Sequence, residues 1–424
     1  MIMKILWIVN KPIGGLHEKL FGKKATGGLW MEAMIDRVVT DSEVDLVVVN
    51  VDTVNSVRNM EVDGVRYYTL PGKSNEGYDY KSTKARVLWN DILHRESPDL
   101  IELWGTEMPI GIPALDVAGD IPAVVYVQGV LESIGKYYTA GMTKKELHNS
   151  RSFRDLIIHS TIRQQQDGYF RRARLEERIV SRCKNIIIEN KWAEAYYKKS
   201  SPDVAVHWCP LSISSVFTEV IWSMDRVKRY TIMCPAANYP IKGLHMLLKA
   251  VAIIKRKFPN VKLSIPGTPL KDKMSFKEHL KQNGYDKFIR QQIKALGISD
   301  NIHYTGRLTA AEMANMMSES HVFVMSSAIE NHSSTLKEAM SVGVPCVSSY
   351  VGGVPEYAYH EVNCLLYRYE DYEVMAQEII RLFESDELCV QLSRNASEQM
   401  RKFRENHDFY EISKRIYQTI IGQR

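Results

Sequence analysis

The chain has 424 residues, of which 45% are hydrophobic. This length favours two or three domains over a single core. The 55 Lys and Arg residues exceed the 50 Asp and Glu residues by only five, and so mild a charge gives no indication of a nucleic-acid partner. No apolar window of about 18 residues occurs, so the sequence predicts no transmembrane helix.

The six cysteines are scattered without a Cys-x-x-Cys spacing, and several fall in predicted strands. Cysteines of this kind are typical of small buried side chains in a reducing compartment. The first residues run directly into a short apolar strand and show no signal-peptide pattern. We therefore expect a cytoplasmic protein.

Short apolar runs alternate with helical stretches along the first half of the chain. The runs suit buried strands and lie at residues 5–9, 45–51, 65–70, 100–104, 123–127, 186–188 and 204–208. Because helical stretches separate many of them, the pattern predicts a doubly wound parallel sheet of the α/β class. One of these stretches, at 171–184, carries Leu175, Ile179 and Val180 on a single face.

Glycine-rich or polar residues follow several of the predicted strands. Gly27 and Gly28 end a long loop before a predicted helix at 29–39, and glycine lets a backbone approach a phosphate closely. No Gly-x-Gly-x-x-Gly occurs, which argues against a dehydrogenase. Residues 104–107 and Gln128 follow two further strands, where parallel sheets bind their substrates.

The segment 136–199 is basic, with 15 basic and 7 acidic residues, while the remainder of the chain is slightly acidic. Aromatic residues are interleaved with these charges at Tyr137, Tyr138, Phe153, Tyr169 and Phe170. Such a segment suits peripheral contact with the anionic inner face of a membrane or binding of a lipid diphosphate. A solvated helical surface with ordinary core aromatics explains the same pattern equally well.

The second half also places candidate binding residues after predicted strands. Lys242 lies between a strand at 231–234 and an amphipathic helix at 244–258, where a lysine can neutralise a phosphate. Gly267 ends the strand at 261–265, and Arg307 and Leu308 follow a strand that begins near Ile302. Three closing helices are predicted at 371–383, 387–404 and 409–421.

The stretch 330–356 follows a predicted strand at 321–325. Residues 333–335 are N-cap types that precede a helical run, which Gly343 ends. Free amides at a helix start bind anions, and Glu330 and Glu338 flank them with carboxylates that accept hydrogen bonds from sugar hydroxyls. This layout suits a ligand with an anionic centre and hydroxylated ends, such as a nucleotide-sugar.

A capping box is the alternative explanation for part of this stretch. In Thr335-x-x-Glu338 the glutamate would bond back to the backbone and bind nothing else. The wider string favours binding, because the Gly-Gly-Val-Pro-Glu at 352–356 adds a second strand-loop-helix start.

The string at 330–356 resembles the donor-site signature of family 4 glycosyltransferases, the retaining enzymes of the GT-B fold. The matching elements are Glu-x7-Glu-Ala-Met from Glu330, Gly-x-Pro from Gly343 and Gly-Gly-x-Pro-Glu from Gly352. The resemblance implies two Rossmann-like doubly wound domains that face a central cleft. The acceptor-side domain would span 1–212, completed by the last helix at about 406–424, and the nucleotide-sugar domain would span 213–405.

The resemblance also implies roles for single residues. Glu338 would bind the ribose hydroxyls, Glu330 the hydroxyls of the donor sugar, and the amides of 331–335 the sugar and diphosphate. Lys242 lies in a Lys-Gly-Leu-x-x-Leu-Leu-x-Ala segment that matches the second donor motif of the family. The complete set of implied donor-binding residues is Gly27, Gly28, Lys242, Gly267, Arg307, Leu308, Glu330, Asn331, His332, Ser333, Ser334, Thr335 and Glu338.

Two positions depart from the family pattern. Gln128 stands where the family usually has a histidine, and a glutamine cannot take up a proton near neutral pH. Gln128 is therefore a candidate catalytic residue by its position rather than as an acid or base. Ala237 stands where the family has an arginine, and Arg307 is the candidate to replace that cation.

The expected function is retaining transfer of a sugar from a nucleotide-sugar to a glycan or lipid-linked acceptor, in surface polysaccharide synthesis. A UDP-sugar is the favoured donor by family frequency, and Glu330, Lys242 and Gln128 are the candidate catalytic residues. No Asp-x-Asp and no His or Cys cluster with metal spacing occurs, so neither a metal nor another cofactor is expected. A nucleotide-sugar epimerase and a non-catalytic nucleotide-sugar-binding regulator are the alternatives.

Overall fold

The computed structural model describes residues 2–10, 13, 18, 22, 29–72, 78–107, 109–235, 237–270 and 275–423, the side chains at 29, 30, 32 and 33 excepted. The chain divides into two compact units. The first unit comprises Met1–Leu131, Arg171–Ser212 and His407–Arg424. The second comprises Glu132–Phe170 and Ile213–Asn406. Among the described helices, none combines the length and hydropathy that a bilayer crossing requires.

The described strands belong to two sheets, one in each unit. In the first unit they are β1 (Met3–Ile8), β2 (Val44–Asp52), β3 (Arg58–Val62), β4 (Val65–Pro71), β5 (Leu100–Trp104), β6 (Ala123–Tyr126), β7 (Lys184–Ile188) and β8 (Ala205–Trp208). In the second unit they are β9 (Lys228–Met233), β10 (Lys262–Pro266), β11 (Ile302–Gly306), β12 (Ser320–Met325), β13 (Cys346–Ser349) and β14 (Leu365–Tyr367).

The described α-helices are numbered along the chain. They are α1 (Leu29–Thr40), α2 (Thr83–Glu96), α3 (Gly111–Val117), α4 (Leu131–Tyr137), α5 (Lys144–Asn149), α6 (Phe153–Ile157), α7 (Ile162–Cys183), α8 (Lys191–Ser200), α9 (Val216–Glu219), α10 (Leu244–Ile254), α11 (Phe276–Lys281), α12 (Gly284–Ala295), α13 (Ala310–Glu319), α14 (Ser334–Val342), α15 (Tyr372–Glu384), α16 (Asp386–Asn406) and α17 (Phe409–Gly422).

The sheet of the first unit has the strand order β3-β4-β2-β1-β5-β6-β7-β8 and is parallel except for β3. Alternate side chains of β1 enter two different cores, Leu6 and Ile8 on one face and Ile5 and Trp7 on the other. Both faces are therefore covered, as in a doubly wound sheet. The predicted strands of this half of the chain are confirmed.

The last helix, α17, belongs to the first unit. Phe409 packs edge-on against the stacked rings of Trp104 and Tyr126, and Tyr417 donates a hydrogen bond to the fully buried Glu102 of β5. Helix α17 thus covers the same face of the sheet as Trp7 and Val9.

The six strands of the second unit are all parallel, in the order β11-β10-β9-β12-β13-β14. The chain moves outward from β9 to β11 in one direction and from β12 to β14 in the other. The topological switch point therefore lies between β9 and β12, and open α/β sheets bind ligands at the carboxyl ends of the strands beside it.

Strand β3 was missed in the sequence. It forms an antiparallel hairpin with β4 through Asp63 and Gly64, which both have positive φ. Asp-Gly is a typical hairpin turn, but most side chains of β3 are exposed, so it lacks the apolar pattern of the other strands.

The predicted domain boundaries differ from the structure at residues 132–170, which belong to the second unit rather than the first. His245 of α10 is buried, and its Nε2 lies 2.7 Å from the carbonyl oxygen of Ala140. The hydroxyl of Tyr369 donates to the same oxygen at 2.8 Å. These contacts join residues more than 100 positions apart, which sequence periodicity cannot reveal.

Candidate functional site

Five predicted site segments lie at one edge of the second sheet, because each follows the carboxyl end of a parallel strand. Lys242 follows β9, and the segment from Glu330 to Thr335 follows β12 across the switch point. Gly267 ends β10, Arg307 and Leu308 follow β11, and the glycine pair at 352–353 follows β13. The order and direction of the strands therefore bring these residues to the same edge of the sheet.

The turn at Glu330 is held by the glycine pair after β13. The amide of Gly353 donates to the carbonyl oxygens of Glu330 at 3.2 Å and Asn331 at 3.1 Å. Gly352 has a φ of 51°, and a Cβ at this position would lie 1.8 Å from the carbonyl oxygen of Glu330. A side chain at 352 would therefore displace the turn that positions Glu330.

Lys242 and Glu330 form an ion pair, with Nζ 2.6 Å from Oε1. The two side chains are 28% and 12% exposed, so the pair is largely shielded from solvent. Burial works to lower the pKa of Lys242, but the Glu330 carboxylate outweighs it and the pKa is raised. Lys242 is therefore a fixed cation at neutral pH. The Ser326 hydroxyl donates to the Lys242 carbonyl oxygen at 3.0 Å and ties this loop to the end of β12.

Helix α14 begins beside this ion pair. Ser333 is its N-cap, and the Ser333 side chain accepts from the amide of Leu336 at 3.3 Å. The capping box between Thr335 and Glu338 is not formed, because the helix starts earlier than that alternative requires. The other amides of the first turn have no partner within the helix, and this helix start follows β12, one of the two strands at the switch point.

Glu338 lies about one turn into α14 and is half-buried. Its carboxylate accepts no hydrogen bond from any residue that the structure describes. Burial raises the pKa of Glu338 to about 7, with the neighbouring Lys337 acting weakly in the opposite direction. A ligand that donates hydrogen bonds to the Glu338 carboxylate would stabilise its ionised form.

His332 has a supporting role in the loop. Its Nδ1 lies 3.1 Å from Nζ of Lys337, and its ring packs edge-on against Tyr357 with centroids 4.7 Å apart. Lys337 is only 1% exposed, and its Nζ lies 5.6 Å from the ring centroid of Phe403. The buried Lys337 was not predicted, since a lone lysine in a helix gives no sequence signal of burial.

Gly267 and Arg307 lie toward the far edge of the sheet. The amide of Gly267 donates to the carbonyl oxygen of Gly306 at 2.7 Å, which joins the ends of β10 and β11. The Arg307 side chain is exposed, and Leu308 is half-buried. Since β11 is two strands from β9, Arg307 starts roughly 10 Å from the Lys242 loop. The structure does not bring Arg307 into the ion pair of Lys242 and Glu330.

The first unit has its own polar group at a switch point, between β1 and β5. Asn10 donates through Nδ2 to the Glu107 carboxylate at 2.6 Å and to the Trp104 carbonyl oxygen at 3.4 Å. Burial raises the pKa of Glu107. Gln128 is exposed beyond the end of β6 in the same unit. Gly27 and Gly28 lie outside the described residues.

Glu176 of α7 was missed as part of this group. It is buried, accepts hydrogen bonds from the Thr106 hydroxyl and from the amide of Leu131 at 3.1 Å, and burial raises its pKa to about 7. Glu176 precedes Ile179 and Val180 by three and four residues, so a carboxylate on the apolar face of the helix was the available signal.

Part of the second unit is similar in sequence to known proteins. Residues 223–399 match the family model described as glycosyl transferases group 1. N-acetyl-alpha-D-glucosaminyl L-malate synthase of Bacillus anthracis is 31% identical over 110 residues, which cover 26% of this chain and 28% of that protein. The match therefore spans less than a third of the length of this relative.

Two solved structures align with almost the whole chain. Sucrose-phosphate synthase from Thermosynechococcus elongatus has a TM-score of 0.72 at 14% identity and covers 100% of both chains. Anabaena Alr3699/HepE in complex with UDP-glucose has a TM-score of 0.64 at 16% identity, over 98% of this chain and 99% of that one. At these identities the likeness shows the fold, which is GT-B. Residues 223–399, which lie in the second unit, are similar to the glycosyl transferases group 1 family.

Proposed function

We propose that the protein transfers a sugar from a nucleotide-sugar to an acceptor and retains the anomeric configuration. The observation that carries the proposal is the arrangement at the switch point of the second sheet. A fixed cation, Lys242, and two carboxylates, Glu330 and Glu338, surround the N-terminus of α14. A nucleoside diphosphate sugar has the complementary layout, with charge in the middle and hydroxyls at both ends.

Each group has a defined part in the proposed reaction. The ammonium of Lys242 and the free amides at 333–335 stabilise the negative charge that develops on the departing diphosphate. Glu330 accepts hydrogen bonds from the donor sugar and so fixes its orientation, while Glu338 accepts hydrogen bonds from the ribose. Because protein charges and dipoles neutralise the leaving group, the transfer is proposed to need no metal ion and no other cofactor.

UDP is the proposed nucleotide. A structural neighbour of the same fold is described in complex with UDP-glucose, and UDP is also the commonest donor of the resembled family. Arg307 and Leu308 at the end of β11 are the proposed contacts of the base.

A glycan or lipid-linked molecule is the proposed acceptor, in surface polysaccharide synthesis in the cytoplasm. Gln128 and the Asn10–Glu107 pair at strand ends of the first unit are its candidate contacts. All six cysteines are described, free and buried, which agrees with a reducing compartment.

A thermal-shift screen of UDP-, GDP- and ADP-sugars tests the donor site. A ligand that binds only the folded chain raises its melting temperature, so a UDP-sugar should give the largest increase. Lys242→Ala should abolish the increase. Arg256→Ala is the matched control, because Arg256 is an exposed cation just beyond the opposite end of α10 and should leave the increase unchanged.

Turnover separates transfer from binding alone. Glu330→Gln should keep the thermal shift but lower the rate of UDP release with acceptor by at least about a hundredfold, because it weakens the orientation of the sugar. The rate should not change when EDTA is added. Loss of activity in EDTA that Mg²⁺ restores would contradict the metal-independent mechanism. Conversion of the donor sugar without any acceptor would indicate an epimerase, and binding without any turnover a regulator.

A further inference from the structure

Two short helices of the second unit, α6 and α11, pack side by side and expose a cluster of large apolar side chains. The six side chains are between 36% and 80% exposed, and they are Phe153, Leu156, Ile157, Ile158, Phe276 and Leu280. We call this surface the α6–α11 face. Single exposed apolar residues are ordinary, but a contiguous cluster marks a surface that binds something.

Helix α6 is inverted relative to an ordinary surface helix, because its polar side is the buried one. Ser152 caps the helix and is buried, and the buried Asp155 accepts a hydrogen bond from the amide of Gly284. A Cβ at position 284 would lie 2.5 Å from the carbonyl oxygen of Ser150, so the two segments are in close backbone contact. The apolar side chains of α6 therefore point outward as a consequence of specific anchoring.

Basic residues surround the α6–α11 face. The segments 151–163 and 275–291 contain seven Lys and Arg residues and three acidic residues. Each acidic side chain is engaged within the protein. Asp155 accepts from Gly284, Glu278 completes a capping box with Ser275, and Asp286 accepts from Asn283 at 2.6 Å. With seven basic and three acidic residues, the two segments carry a net charge of 7 − 3 = +4, so this surface is positive.

A cavity of about 350 Å³ opens beside the apolar side chains. Arg151, His279, Lys287 and Arg290 line it together with Phe153. Within the described part of the chain, the buried Nε of Arg290 makes no hydrogen bond. Cationic donors next to exposed apolar side chains complement a molecule with an anionic head and an apolar body.

We propose that the α6–α11 face docks on a membrane that contains anionic phospholipids. The six apolar side chains enter the boundary of the acyl chains, and the cavity at Arg290 receives the phosphate of a lipid headgroup. Neither the insertion of the apolar side chains nor the binding of the phosphate requires a transmembrane helix. The inference goes beyond the proposed transfer activity and does not rest on it.

Co-sedimentation of the full chain with vesicles tests the proposal. The chain should bind vesicles of phosphatidylcholine mixed with phosphatidylglycerol, bind phosphatidylcholine alone far more weakly, and lose binding as salt is added. The double variant Phe153→Ser/Phe276→Ser should bind the anionic vesicles at least about tenfold more weakly, since it removes two large apolar anchors. Lys277→Glu/Lys281→Glu should weaken binding to anionic vesicles only.

The matched control is Ile221→Ser/Val390→Ser, which removes two exposed apolar side chains of the same unit outside the α6–α11 face. It should bind vesicles as the unchanged chain does, and all variants should melt at nearly the same temperature. Equal binding by the Phe153→Ser/Phe276→Ser variant would overturn the proposal, as would equal binding of the unchanged chain to both kinds of vesicle. A dimer that this variant converts to monomers, with vesicle binding unaffected, would assign the face to contact between copies of the chain.

Discussion

Glu330 and Glu338 are two carboxylates at the same helix start, but their surroundings differ. Glu330 is paired with Lys242 at 2.6 Å, whereas Glu338 accepts no hydrogen bond from the described residues. Burial raises the pKa of Glu338 to about 7. An acid with this pKa is mostly protonated at pH 6 and mostly ionised at pH 8.

The affinity for UDP-glucose should therefore depend on pH through Glu338. The ribose diol donates to the ionised carboxylate, so the affinity should increase about tenfold from pH 6 to pH 8. Calorimetric titration with UDP-glucose measures this cleanly, because its diphosphate diester does not titrate in that range. Glu338→Gln should remove the dependence, and Glu387→Gln, an exposed carboxylate on α16, should preserve it. A pH-independent affinity of the unchanged chain would exclude Glu338 from ribose binding.

At the scale of elements, strand β5 and helix α17 meet at a buried acid. Glu102 is fully buried, and its hydrogen-bond donor is the Tyr417 hydroxyl. Burial raises the pKa of Glu102 from 4.5 to about 8, and the Tyr417 hydrogen bond only partly opposes this. Between pH 4.5 and about pH 8, Glu102 therefore keeps its proton in the folded chain and loses it in the unfolded chain. This contribution to stability is full below pH 4.5 and is lost as the pH rises toward 8.

Glu102→Gln should remove this loss, because a glutamine keeps the acceptor for Tyr417 without an ionisable group. Relative to the unchanged chain, the free energy of unfolding of the variant should rise by about 2 kcal/mol between pH 6 and pH 8. Urea unfolding at both pH values measures the difference. Glu411→Gln on the exposed side of α17 is the control and should show almost no change. A constant difference for Glu102→Gln would mean that Glu102 ionises normally in the folded chain.

At the scale of the whole molecule, the sequence predicted what depends on local pattern. Alternating apolar runs and helices in the first half predicted one doubly wound sheet, and the family resemblance implied the second. Parallel sheets place the residues that follow their strands at one edge. Lys242, Glu330 and Glu338 could therefore be grouped before any coordinates. Gly352 was identified by its motif, but the contact with the carbonyl oxygen of Glu330 that makes glycine necessary there required the structure.

The features that escaped prediction depend on contacts between distant residues. Residues 132–170 belong to the second unit because of pairs such as Ala140 with His245 and Asp155 with Gly284, which no periodicity encodes. The outward apolar side of α6 follows from the same anchoring. In isolation, the sequence of α6 resembles a helix that would bury Leu156 and Ile157.

The position of α17 in the first unit has a consequence for biosynthesis. A ribosome makes α17 only after it has made residues 213–406. Until then, Phe409 cannot cover the rings of Trp104 and Tyr126 in the first sheet. The amino-terminal part of the chain must then remain incomplete, and open to chaperones, until the other unit has left the exit tunnel.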